Sequence, residues 1–216
     1  MQRLHFGAIK RVLCLGAHAD DIEIGAGGTI LTLLAARGDI EVHWVVFSAL
    51  GARAAEARES ASRFLDGCDA PQIDLFDFRD GFFPYIGGQI KERFEELKAL
   101  SSPDLIFTHQ RDDLHQDHRL IAELTWNTYR DHAILEYEIP KYDGGLRTPN
   151  VFVELEDAVF DRKVRYLMDV FATQRSRRWF RQETFEAAAR LRGLECNAPH
   201  GLAEGFYGRK IVVSGT

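Results

Sequence analysis

The chain reads as an α/β protein with a mostly parallel sheet, and three observations carry that reading. Short continuous apolar runs, as expected of strands buried on both faces, recur through the first half. Segments of helical periodicity separate them, and this alternation indicates βαβ units with helices on both sides of the sheet. The two clusters richest in His and Asp each follow an apolar run, where a parallel sheet gathers its ligands.

Val12-Leu13-Cys14-Leu15-Gly16 is the first strand, followed by a helix from Ile22 to Arg37 with apolar positions Ile30, Leu31, Leu33 and Leu34 and a stop at Gly38. Val42 to Phe47 is the second strand, and the Ala/Glu/Arg-rich stretch Arg53 to Leu65 the second helix. Ile73-Asp74-Leu75-Phe76 predicts a third strand and Gln89 to Leu100 a third helix. Asp104 to Thr108, introduced by Pro103, is the fourth strand. The second half is less regular. Ala133 to Ile139 and Val151 to Leu155 read as strands, Asp161 to Phe171 and Glu183 to Arg192 as helices, and the tail Gly205 to Val213 as a returning strand. No repeat, low-complexity tract or linker interrupts this pattern, so the expectation is a single Rossmann-like three-layer domain over residues 1–216.

The 216 residues, 45% hydrophobic and 28% charged, are those of an ordinary globular chain long enough to bury a core without staples. A net charge of −6 argues against nucleic-acid binding, which favours basic domains. Cys14, Cys68 and Cys196 lack any paired spacing, so neither a disulfide framework nor a thiolate zinc site is indicated. No apolar run reaches bilayer length and no leader pattern opens the chain, which makes a cytoplasmic protein the expectation. The sequence is compatible with a homo-oligomer and does not set the oligomeric state.

The chemistry is concentrated in Ala17-His18-Ala19-Asp20-Asp21-Ile22-Glu23, at a strand-to-helix junction, and in His115-Gln116-Asp117-His118 downstream. Imidazole and carboxylate are the donors a hard or borderline divalent cation takes. If His18 and Asp21 hold a metal, Asp20 is left beside the open position, placed to take a proton from an attacking water. An isolated Asp-Asp at a helix start commonly serves as an N-cap instead; the flanking histidine, glutamate and glycines favour the metal. His115 and His118, three apart, share a face on a helical turn, so one can ligate while the other faces substrate. Asp117 between them can orient an imidazole through its second nitrogen.

These residues resemble the LmbE/PIG-L-like metal-dependent de-N-acetylases, which hydrolyse N-acetyl groups from amino-sugar conjugates. The family opens with Ala-His-Pro-Asp-Asp-x-Glu and Gly-Gly-Thr, and later carries His-Pro-Asp-His. Ala17, His18, Asp20, Asp21, Glu23, Gly27, Gly28 and Thr29 match, as do His115, Asp117 and His118. Ala19 and Gln116 stand where proline is usual, departures that touch loop rigidity and not ligand atoms. Further likeness runs through Arg53 with Glu56, Thr108-His109, Asn150 to Val153 and Glu204-Gly205-Phe206.

The resemblance implies zinc held by His18, Asp21 and His118, with iron or manganese as substitutes, and Asp20 as general base. It implies His115 as the group that stabilises the oxyanion or protonates the leaving amine, and Asp117 as the tuner of its partner histidine. Arg53 is similar to the family arginine that reaches substrate. Tyr142, His200 and Glu204 are pocket candidates on the same analogy. The implied reaction is removal of the N-acetyl group, as acetate, from a sugar nucleotide or small glycoside. An amidase acting on a sugar-thiol conjugate is the alternative within the superfamily. A nucleotide-binding module is the non-hydrolytic one, weakened because Gly25-Ala26-Gly27-Gly28 lacks the G-x-G-x-x-G spacing after its strand. The basic-aromatic stretch Arg175 to Arg181 reads either as a solvated loop with two aromatic anchors or as a grip on substrate phosphates.

Overall fold

The computed structural model describes residues 9–212. The chain order is β1 (Arg11–His18), α1 (Asp21–Ala36), β2 (Glu41–Ser48), α2 (Ala52–Phe64), β3 (Ala70–Leu75), α3 (Gly87–Leu100) and β4 (Leu105–His109). There follow α4 (Gln116–Thr128), β5 (Ala133–Tyr137), β6 (Val151–Glu154), α5 (Asp157–Val170), α6 (Gln182–Cys196) and β7 (Ala203–Gly208). One seven-stranded sheet runs in the order β3-β2-β1-β4-β5-β7-β6. The strands from β1 to β5 pair in parallel, while β7 runs antiparallel to both β5 and β6.

Alternation along each strand builds the three layers. Val12 and Cys14 of β1 join the core beneath α1, α2, α5 and α6, whereas Leu13, Leu15 and Ala17 join the opposite core beneath α3 and α4. Between β1 and β4 the strand order reverses: the chain leaves β1 towards β2 on one side and returns to β4 on the other. In open α/β sheets a crevice forms at the carboxyl ends of the strands at such a reversal. Among the described residues no helix is long and apolar enough to cross a membrane.

The expected strands and helices fall on the observed ones with shifts at their ends, and the tail strand ends at Gly208; Val213 lies outside the described residues. One helix went unread as such, α4. Two of its buried positions are the threonines Thr125 and Thr128, so its apolar stripe is short. Thr125 closes on Thr108 of β4 at 2.9 Å and on its own helix through the Ile121 carbonyl at 2.7 Å.

The glycines of α1 have a packing role. A Cβ on Gly25 would stand 2.2 Å from the Tyr137 ring, and one on Gly27 would stand 2.6 Å from the Phe64 ring. The helix therefore lies against side chains where a phosphate loop would need open space, which removes the dinucleotide reading of this cluster. Gly25→Ala is expected to destabilise the protein by about 1–3 kcal/mol through overpacking, despite alanine's better helix propensity. Gly38→Ala, with nothing within 4 Å, should be near neutral. Chemical denaturation of the two variants checks the contrast.

Candidate metal centre

Strand pairing sets the site. β1 ends at His18 and β4 at His109, and neighbouring parallel strands bring those ends together. α1 begins at Asp21 and α4, after a short loop, at Gln116, so the first cluster and the second meet at two helix N-termini. Negative charge is favoured at such termini, and Asp21 and Asp117 both occupy a first turn.

His18 Nε2 lies 3.1 Å from Asp117 Oδ2 and 3.1 Å from Asp80 Oδ1, which makes that nitrogen the protonated one and turns Nδ1 inward. His118 Nδ1 lies 3.1 Å from Asp113 Oδ2, so its Nε2 turns inward as well. The two inward nitrogens stand 3.2 Å apart, and Asp21 approaches them at 3.4 Å (Oδ2 to His18 Nδ1) and 3.5 Å (Oδ1 to His118 Nε2). Two ligands each about 2 Å from one tetrahedral ion stand about 3.3 Å apart, so the donor set fits a divalent cation in both chemistry and spacing. The outer nitrogen of each imidazole rests on a carboxylate, the arrangement that fixes ligand orientation around metals.

Protonation follows from the surroundings. Burial, with His109 alongside, pushes His118 down to about 3, leaving a neutral imidazole with a free lone pair. Burial opposes charge on His18, but Asp117, Asp21 and Asp80 together hold it well above its ordinary value. Asp21 is likewise opposed by burial, yet the surrounding histidines keep it well below the carboxylate range. Asp80, bonded to His18, drops to about 2.

Asp20 is buried, and its φ of 101° puts a non-glycine residue in the left-handed region, a strain typical of functional sites. Burial, with Asp21 and Glu23 adding to it, raises its carboxyl well above the ordinary value, while the Arg53 guanidinium 3.1 Å away pulls the other way. Arg53 also donates to the Ala19 carbonyl. It is thus engaged with the Asp20 loop.

His115 caps α4: its Nδ1 accepts from the Asp117 amide at 3.3 Å, leaving Nε2 as the protonated nitrogen. Burial and the neighbouring His18 lower its pKa, so it is neutral near pH 7. Asp117 is fully buried, and its carboxylate reaches His18 at 3.1 Å, the Gly81 amide at 2.6 Å and the Phe83 amide at 3.1 Å. Gln116, in the place of the usual proline, donates to the Gly81 carbonyl at 3.0 Å.

Three expected pocket residues stand apart from the cluster. Glu204 is buried and accepts from Gly28 and Thr29 of α1 and from Lys163 at 2.6 Å. His200 pairs with Asp157 at 3.0 Å beside Thr32 and Ala36, at the far end of α1. Tyr142 is exposed on the β5–β6 loop, its hydroxyl accepting from the Arg178 amide at 3.2 Å.

Sequence reasoning left several site residues without a role. His109 stacks on His118 at 3.9 Å and lies 3.2 Å from Asp21 Oδ2. Its position at the last residue of a buried strand was the available signal. Asp113 holds His118, the His115 amide at 2.8 Å and Lys141 at 2.7 Å. Tyr137 donates to the Leu15 carbonyl at 2.7 Å with its oxygen 3.2 Å from His109. Asp80, on an irregular loop after β3, had no periodic signal at all.

A buried cluster of imidazoles and carboxylates at the reversal point of a mostly parallel sheet, of a kind that could hold a metal ion, defines the class. The chain belongs to the PIG-L family, described as GlcNAc-PI de-N-acetylase, whose model matches residues 13–129. The N,N'-diacetylchitobiose deacetylase of Pyrococcus horikoshii is similar in structure at 22% identity and TM-score 0.66, over 93% of this chain and 84% of that one. The 4-carboxy-2-hydroxymuconate hydratase of Pseudomonas putida is similar at 18% identity and TM-score 0.72, over 96% and 99%. A conserved protein of Thermus thermophilus is similar at 19% identity and TM-score 0.73, over 96% and 97%. At these identities the likeness is one of fold. No curated protein sequence matches.

Glu23 gives a testable consequence. Both its oxygens are buried without a hydrogen-bond partner; Ser60 favours its charged form but makes no bond of normal geometry to it. Burial pushes its carboxyl from 4.5 up to about 7. The unfolded chain releases this proton near 4.5 while the folded one keeps it, so the penalty on folding grows between pH 4.5 and 7 and is constant above. Glu23→Gln is therefore expected to gain up to about 3 kcal/mol over the wild type at pH 8 and nothing at pH 4. Denaturant titrations at the two pH values decide it.

Proposed function

We propose that the protein is a metal-dependent hydrolase that removes the N-acetyl group of an amino-sugar substrate, a sugar nucleotide or small glycoside, and releases acetate. The observation that supports this most is the inward-facing trio of His18 Nδ1, His118 Nε2 and the Asp21 carboxylate, whose separations of 3.2 to 3.5 Å suit three ligands of one cation. Family membership supplies the reaction class, and the deacetylase among the structural neighbours acts on an N-acetylated disaccharide.

His18, Asp21 and His118 would hold the cation, zinc or alternatively iron or manganese, which when bound polarises an amide carbonyl and acidifies water. Asp20 acts as the base: its raised affinity for protons suits a carboxylate that must take one from water and return it to the leaving amine. Arg53 aims that carboxylate and opposes the rise that burial imposes on it. His115, neutral with Nε2–H free, donates to the oxygen on which charge develops. Asp117 and Asp113 hold His18 and His118 in tautomer and orientation.

Acetate release with added zinc, across a panel of N-acetylated sugar nucleotides and glycosides, tests the reaction. Because the same fold carries a hydratase, an unsaturated hydroxy-carboxylate joins the panel. Turnover of that compound alone would replace the deacetylase reading. Turnover of a sugar-thiol conjugate alone would favour the amidase.

Asp20→Asn should lower kcat about a hundredfold or more with bound metal unchanged, whereas His118→Ala should lose the metal. Metal analysis beside kinetics checks both, and full occupancy in His118→Ala would remove that ligand from the set. Chelation of the wild type should abolish activity and lower the melting temperature, because binding energy at a folded site is folding energy.

A further inference from the structure

His109 is the last residue of β4, and strand alternation decides where its side chain goes. Thr108 faces α4 and bonds Thr125, so His109 turns to the other layer, in line with Leu105 and Phe107 of the core beneath α1. The position is fully buried and continues an apolar row, yet it holds an imidazole. Its Nδ1 has no partner among the described residues. An apolar side chain would fill the same place without the cost of a desolvated nitrogen. The fold alone therefore gives no reason for a histidine here.

The reason lies at the other nitrogen and at the ring face. Nε2 accepts from the Ala17 amide at 3.0 Å and stands 3.2 Å from Asp21 Oδ2. That carboxylate oxygen takes the His18 amide at 2.7 Å from its other side. Bracketed in this way, Asp21 is left with Oδ1 turned towards His118. The His109 ring stacks on His118 with centroids 3.9 Å apart and planes 20° from parallel. One side chain thus touches the backbone beside His18, the Asp21 carboxylate and the face of His118, on β1, α1 and α4. Imidazole lone pairs lie in the ring plane, so two stacked, nearly parallel rings do not aim at one ion. His118 therefore belongs to the ligand set, and His109 stands behind it.

We infer that His109 is a positioning residue of the metal centre, setting the spacing of the His18, Asp21 and His118 donor atoms without ligating the ion. This rests on the metal-dependent part of the proposed function and is independent of which substrate the site takes.

The test measures zinc affinity of the full chain by competition with a chromophoric chelator, beside the melting temperature of the metal-free form. His109→Phe keeps a buried stacking ring and removes both nitrogens. It should still fill with zinc at saturation, with affinity about 10–100-fold weaker than the wild type. Its metal-free melting temperature should not fall, because the unpaired nitrogen is gone. His109→Gln, whose side-chain amide can accept from Ala17, should recover most of the lost affinity. Should His109→Phe fail to fold, His109→Met takes its place with the same expected loss of affinity. Wild-type affinity in the apolar variant overturns the proposal, whatever its melting temperature. Equal weakening in the apolar variant and in His109→Gln marks a packing role and overturns it too. Complete loss of zinc at saturation, as expected of His118→Ala, would make His109 a ligand and overturn it likewise. A wild type that binds zinc but releases acetate from no substrate loses only the deacetylase reading, and the affinities still decide. A wild type that takes up no zinc, iron or manganese loses the metal centre and this proposal with it.

Discussion

Two imidazole nitrogens and a carboxylate face one another within 3.5 Å in a buried site. A protein can hold ionisable groups this close out of water only if the neighbouring bonds are committed to keeping the atoms there. The commitments are visible. Asp117 and Asp113 take the outer nitrogens of His18 and His118, and His109 stacks against His118 from behind. Two helix N-termini make buried carboxylates tolerable at the same spot. The order of the strands serves this constraint too, because only a reversal beside β1 brings the ends of β1 and β4 together.

The fold and the site differ in how much of each could be read from sequence. Apolar runs announced the parallel strands, since a strand buried on both faces has no polar alternation to hide it. The first cluster was equally legible: His18, Asp20 and Asp21 are consecutive in chain and in space. What escaped were residues whose importance comes from contacts far along the chain. His109 matters because it lies beside Asp21 and His118, and Asp80 because an irregular loop delivers it to His18. The helix α4 escaped because threonines occupy buried positions where apolar residues would have marked its inner face. Glu204 misled in the opposite sense: a glutamate in a recognisable motif serves the interior, paired with Lys163 beneath α1.

A shared scaffold that carries both a disaccharide deacetylase and a hydratase locates specificity away from the sheet. The loops after the strands then decide which molecule presents itself.

Gln116 occupies the first position of α4, where proline is favoured because its missing amide proton costs nothing. A proline ring stiffens only the chain it belongs to. The Gln116 amide instead grips the Gly81 carbonyl, next to the residue whose carboxylate faces His18, while Asp117 grips the same glycine by its amide. Rigidity has passed from a covalent ring to a hydrogen bond of about 1 kcal/mol that water can replace. Two loops arriving from different strands are thereby geared together, with Gly81, at φ +79°, as the pivot. What a proline would have stiffened within one chain segment is here shared by two, so the loop that carries Asp80 and the start of α4 hold each other in place.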